Sequence, residues 1–151
     1  MPIFYLDTSA ILKRYRREIG TEAIDDLIGN AQPEDRFYTS ILSTLELTSA
    51  LMRLVKGGQL GGSVAEAASA AFRQDIQEIF RVWPLDDSTV ATAIPVVEQH
   101  KLRSIDAIHL ATAIAIFAAA GDENTILVSS DMELLEAAAS SGIDVLNPQD
   151  N

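Results

Sequence analysis

Compact apolar runs of strand length alternate along the chain with stretches whose apolar residues recur every three or four positions. Ile3 to Leu6 is the first such run and predicts a strand. Thr8 to Arg17 predicts a helix, and Thr21 to Gly29 a second, with Thr21 as its cap and acids in its early turns. Phe37 to Thr39 is rich in strand formers, and Ser40 to Lys56 carries helical spacing through Ile41, Leu45, Thr48, Leu51, Met52 and Val55. The glycine-rich segment Gly57 to Gly62 stops that helix and forms a turn between helices. Ser63 to Phe80 then reads as helix, with Ser63 and Glu66 in the pattern of a capping box.

The second half repeats the alternation. Val82 to Leu85 predicts a strand that Pro84 assigns to an edge or an end, and Ser88 to His100 a helix in which Pro95 marks a kink or a start. Ser104 to Ala120 is a helix apolar on most sides and therefore buried, with Ser104 as cap. Thr125 to Ser129, Met132 to Ser141 and Asp144 to Leu146 complete the series as strand, helix and strand. Strands and helices in this rhythm imply an α/β protein: three layers, α/β/α, around a central, mainly parallel sheet of about four to five strands. The expected organisation is one domain over residues 1–151, with no internal repeat.

Composition narrows the class. The longest apolar stretch, Ala111 to Ala120, is shorter than the roughly 20 residues a membrane span takes. The start of the chain lacks a basic segment and meets an acid at Asp7, so the expected location is the cytoplasm, with no membrane partner. With 0 cysteines, disulfides and thiolate metal sites are excluded. The net charge of -11 argues against broad nucleic-acid binding through overall charge. The charge is also unevenly spread: Lys and Arg fall between Lys13 and Arg103, and the chain beyond Ser104 is acidic. That asymmetry fits either an acidic metal zone beside basic grips for a polyanion, or a soluble acidic surface.

Four acids fall where an open parallel sheet places its ligands, outside the carboxyl ends of the strands. Asp7 follows the first strand and Asp131 the Thr125–Ser129 strand. Glu46 lies almost two turns into the helix after the second strand, and Asp106 in the first turn of the apolar helix. Each has a structural use as well: Asp7 and Asp131 as helix caps, Asp106 at a positive helix end. Glu46, set among Ile41, Leu42, Leu45, Leu47 and Leu51, needs a partner if it is buried in charged form, and a metal ion is one. Clustered carboxylates suit a hard divalent cation such as Mg²⁺, whereas His100 and His109, nine apart and without a thiol, do not make a zinc site. His109 reads as a helix-face partner of Asp106 or as a structural residue.

The segments around these acids resemble the PIN-domain family and the VapC-like toxins within it. Leu6-Asp7-Thr8-Ser9-Ala10 resembles the family's strand-end motif, and Ser43-Thr44-Leu45-Glu46-Leu47 the helix bearing the second acid. Leu102 to Ala111, containing Ser104-Ile105-Asp106-Ala107, is similar to the third block and is the most specific; Val128-Ser129-Ser130-Asp131 is similar to the fourth. The resemblance implies Asp7, Glu46, Asp106 and Asp131 as a catalytic Mg²⁺ or Mn²⁺ site, with Glu133 near enough in sequence to replace Asp131. It implies Thr8 or Ser9 as aids to a metal-bound water and Ser129 as a support for Asp131. The implied reaction is hydrolysis of an RNA phosphodiester to a 3′-hydroxyl and a 5′-phosphate, on a structured RNA such as a tRNA. A small antitoxin and a homodimer are the implied protein partners, with the apolar faces around Leu27, Ile28, Leu51, Leu54 and Val55 serving either as their surface or, the commoner use of such residues, as core. Arg14 and Arg103 are the expected phosphate contacts, from the basic groups Lys13-Arg14-Arg16-Arg17, Arg53-Lys56 and Lys101-Arg103. The competing expectation is a catalytically silent PIN-like module that binds RNA or protein without cutting.

Overall fold

The protein is described from a computed structural model covering residues 1–150. Its central sheet runs β3-β2-β1-β4-β5, with each adjacent pair parallel. The strands are β1 (Ile3–Leu6), β2 (Arg36–Ser40), β3 (Phe80–Trp83), β4 (Thr125–Val128) and β5 (Asp144–Leu146). The helices are α1 (Thr8–Tyr15), α2 (Thr21–Gly29), α3 (Ile41–Lys56), α4 (Gly62–Glu78), α5 (Asp87–His100), α6 (Ser104–Ala120) and α7 (Met132–Ser140). The three-layer reading holds, with β1 at the centre.

Side-chain alternation along β1 assigns the layers. Ile3 and Tyr5 point into a core shared with Leu110, Ile116, Leu134 and Ile143 from α6, α7 and the turn after α7. Phe4 and Leu6 point the other way, into a core with Ile11, Ile24, Leu47 and Phe72 from α1 to α4. A strand buried on both faces is what a run of four apolar residues encodes. The α6 helix is buried through Ala107, His109, Leu110, Ala111, Thr112, Ala113 and Ile116, as its nearly uninterrupted apolar sequence demands. Among the described residues no single helix is long and apolar enough to cross a membrane.

Several local expectations are corrected. The β3 strand starts at Phe80, which pairs with Phe37, so Pro84 falls just beyond the strand's end. Gly20, not Thr21, caps α2; its φ of +97° suits glycine, and an added Cβ would stand 3.0 Å from the Pro148 carbonyl oxygen. Thr21 instead donates to the Lys13 carbonyl at 2.8 Å, closing the end of α1 two residues earlier than expected. The Ser63–Glu66 capping box does not form, because α4 begins at Gly62 and Ser63 lies inside the first turn. Ser104 is likewise one residue too late to cap α6, where Arg103 takes the cap position. Pro95 neither starts nor ends α5, which runs through it.

Of the apolar faces left between partner surface and core, part goes to the core. Leu51 is fully buried in the core, and Leu27 and Ile28 pack against that core. The large apolar side chains left exposed are elsewhere, with Ile41, Leu45, Ile105 and Met132 around the carboxyl ends of the strands.

Candidate active site

The chain builds β2 and β3 to one side of β1 and then returns to place β4 on the other. Such a reversal opens a crevice at the carboxyl ends of the strands. Asp7 sits there at the end of β1 and is 4% exposed. Its Oδ1 accepts from the Ala10 amide at 3.0 Å and from the Ser9 hydroxyl at 2.7 Å. Its Oδ2 accepts from the Ser129 hydroxyl at 2.6 Å. Ser129 is itself buried and accepts from the Asp131 amide at 3.0 Å, while Ser9 accepts from the Ser130 amide at 3.1 Å. Two serines therefore stitch the end of β1 to the end of β4 and hold the Asp7 carboxylate rigid. Ser129 serves Asp7 directly and Asp131 only through its backbone.

Asp131 caps α7, accepting from the Leu134 amide at 3.2 Å, just as Asp7 caps α1. The capping use and the site position coincide in both. Asp106, one turn into α6, is partly buried, and the nearest cation is Arg103 at 3.5 Å. Burial raises the Asp106 carboxyl above its ordinary value, and the negative charges of Asp131 and Asp7 raise it further against the pull of Arg103. Asp106 thus lies within electrostatic reach of both Asp131 and Asp7.

Glu46 stands on a different set of contacts. Its Oε1 accepts from the Thr8 hydroxyl at 2.7 Å and lies 2.7 Å from His109 Nε2. Burial pushes the carboxyl up, but the His109 and Thr8 hydrogen bonds and the Arg53 guanidinium outweigh it and hold Glu46 below the usual value. His109 is thus the partner of Glu46 rather than of Asp106, and its Nδ1 lies 2.6 Å from the Tyr5 hydroxyl. Sequence reasoning missed Tyr5, although a hydroxyl inside a fully buried strand needs a polar partner and signals one.

The basic residues separate into two kinds. Lys13 and Arg16 pair with Glu18, Arg17 with Glu22, and Arg14 with Asp75 and Asp25. The cluster at the end of α1 is neutralised by its neighbours, and Arg14 is directed to α4 and α2 rather than to the crevice. Arg103 is 85% exposed at its rim. Arg53, two turns along α3 from Glu46, lines a cavity of about 270 Å³ with Thr8, Leu42, Leu45, Glu46, Ser49 and Ile105. Glu133 borders a separate depression with His100 and Lys101.

A sequence model of the PIN domain matches residues 4–140. The chain belongs to the PIN-domain family. It is 32% identical over 146 residues to Ribonuclease VapC35 of Mycobacterium tuberculosis, covering 97% of each chain. Among solved structures, the PIN fold seen here superposes on FitAcB from Neisseria gonorrhoeae with a TM-score of 0.72, 21% identity and coverage of 98% and 99% of the two chains. It superposes on VapBC2 from Rickettsia felis, in a structure bound to a DNA fragment, with a TM-score of 0.65 and 12% identity over 96% of this chain and 98% of that one.

Among the described residues no three His, Asp or Glu side chains stand close enough to form a ready-made cation cage. The donor set still fits a hard divalent ion. It is all oxygen, and Mg²⁺ keeps several waters while one or two carboxylates hold it. A cation would also relieve the repulsion that raises Asp106.

Proposed function

We propose that this PIN-domain protein is a metal-dependent endoribonuclease and the toxin of a toxin–antitoxin pair. The observation that carries the reading is the electrostatic coupling of Asp106 to Asp131 and Asp7 at the crevice of the sheet. The likeness to Ribonuclease VapC35 over 97% of the chain supports RNA as the substrate.

Asp7, Asp106 and Asp131 would hold Mg²⁺ or Mn²⁺, with the second oxygen of Glu46 beside them. A divalent ion there makes water nucleophilic near neutral pH and offsets charge developing on a phosphodiester. Ser9 and Ser129 keep Asp7 from turning away, and Thr8 does the same for Glu46. Arg53 and Arg103 flank the acids and grip the phosphates on either side of the cut. Hydrolysis adds water across the bond, leaving a 3′-hydroxyl and a 5′-phosphate.

A small antitoxin is the proposed partner. The neighbours' names support it: a toxin–antitoxin complex from Klebsiella pneumoniae superposes with a TM-score of 0.62 and 16% identity over 95% of this chain and 96% of that one. The groove between α3 and Ile105, apolar through Leu42 and Leu45 and bordered by Glu46, is where its tail would lie. The exposed apolar cleft of Val90, Ile94, Val97 and Ile108 between α5 and α6 is the surface for a homodimer. The protein would act as one unit over residues 1–151, in the cytoplasm.

The deciding experiment incubates the purified protein with tRNA and total RNA in Mg²⁺ or Mn²⁺, alongside EDTA, Asp7→Asn and Asp106→Asn controls. Cutting that requires metal and disappears in both folded variants is the expected result. Variants that cut like wild type would place the site elsewhere.

A further inference from the structure

Three side chains form a hydrogen-bonded line from the core to the crevice: Tyr5, His109 and Glu46. Tyr5 is 0% exposed and His109 2%, so water supplies neither with a partner. The imidazole lies between a hydroxyl 2.6 Å from Nδ1 and a carboxylate oxygen 2.7 Å from Nε2.

An ionised carboxylate only accepts, so Nε2 carries a proton. Nε2–H therefore donates to Glu46. The other ring nitrogen is held by the Tyr5 hydroxyl, whose further polar neighbours are the Thr112 side chain and the Ser40 backbone.

We propose that Tyr5 and His109 are positioning residues that fix how Glu46 faces the metal site: Tyr5 holds one side of the His109 ring, and His109 with Thr8 saturates Glu46 Oε1, leaving Oε2 alone for the cation or its water. Oε2 accepts no hydrogen bond among the described residues, whereas Oε1 accepts two. A carboxylate pinned through one oxygen presents the other in a single direction and cannot swing to chelate with both. The line also crosses three elements, β1, α6 and α3, so the orientation of Glu46 is referred to the sheet itself.

This inference rests on the metal-site reading for Glu46, and the two are tested separately. Mn²⁺ titration by calorimetry reads the consequence. Tyr5→Phe, which keeps the ring and loses the hydroxyl, is expected to bind Mn²⁺ more weakly than wild type, and folded Tyr5→Phe protein that binds like wild type overturns the role of Tyr5. His109→Leu, which keeps bulk and loses the donor, is expected to weaken Mn²⁺ binding about 10–100-fold, the usual effect of removing a ligand's hydrogen-bond partner. His109→Gln, whose amide can still donate to Glu46, is expected to recover most of that loss. Folded His109→Leu protein that binds Mn²⁺ like wild type, or folded His109→Gln that binds no better than His109→Leu, overturns the positioning role. Wild-type protein that binds no Mn²⁺ overturns the metal-site reading instead and takes the proposed role toward the cation with it.

Discussion

At the scale of single residues, the four acids read from the sequence do not behave alike. Asp7 is clamped by hydroxyls and an amide, Glu46 by a hydroxyl and an imidazole, and Asp106 is left with repulsion. A carboxyl raised by folding favours the folded state at low pH and loses that contribution as pH rises through its folded pKa. In EDTA, Asp106→Asn should therefore melt a few degrees above wild type at pH 7, at about 2–4 °C per kcal/mol for a domain of this size. The gap should close in thermal melts as pH falls to the ordinary carboxylate range, about pH 4. Metal addition should remove it from the other direction, by stabilising wild type more than the variant. The positions of the acids were legible because strand ends and helix starts are written in local pattern. Their partners were not: Ser129 is 122 residues from Asp7, and His109 is 63 from Glu46. Spacing along a chain carries no information about pairings that the sheet creates.

At the scale of elements, apolar periodicity located the strands and helices, while the ends moved by one or two residues. Caps explain the differences. Thr21 and Ser104 have the right chemistry at the wrong position, since Gly20 and Arg103 are the last residues before helical backbone begins. Pro95 shows propensity overridden by packing: Ala93 and Val96 are buried on either side of it, and those contacts hold α5 helical through a residue without an amide proton. Pro95 itself is exposed, so its ring supports nothing in the core. Pro95→Ala should then stabilise the protein by about 1–3 kcal/mol, up to the full interior penalty for proline, without altering cleavage. Chemical denaturation checks the first part and the RNA assay the second.

At the scale of the whole molecule, a net charge of -11 makes the protein a poor general binder of RNA, so the few cations beside the crevice carry the contact. With Arg53 and Arg103 as the grips, the affinity of catalytically silent Asp7→Asn protein for single-stranded RNA should fall with salt at a log–log slope of about -1.4, from about -0.7 per phosphate neutralised. Arg53→Ala should flatten that slope by about 0.7. Arg14→Ala should leave it unchanged and lower stability, because Arg14 is held by Asp75 and Asp25. Equal loss of slope in the two variants would contradict this division of the basic residues. The strand order β3-β2-β1-β4-β5 has a further consequence, in time rather than space. A growing chain makes Asp7 and then Glu46, but Ser129 and Asp131 arrive only when β4 has been synthesised and slotted beside β1. Before then Asp7 lacks the hydroxyl that holds its Oδ2, and Asp106 lacks a neighbour. On the proposed reading the nascent protein is harmless to the RNA around it until β4 has joined the sheet, because its site closes only then.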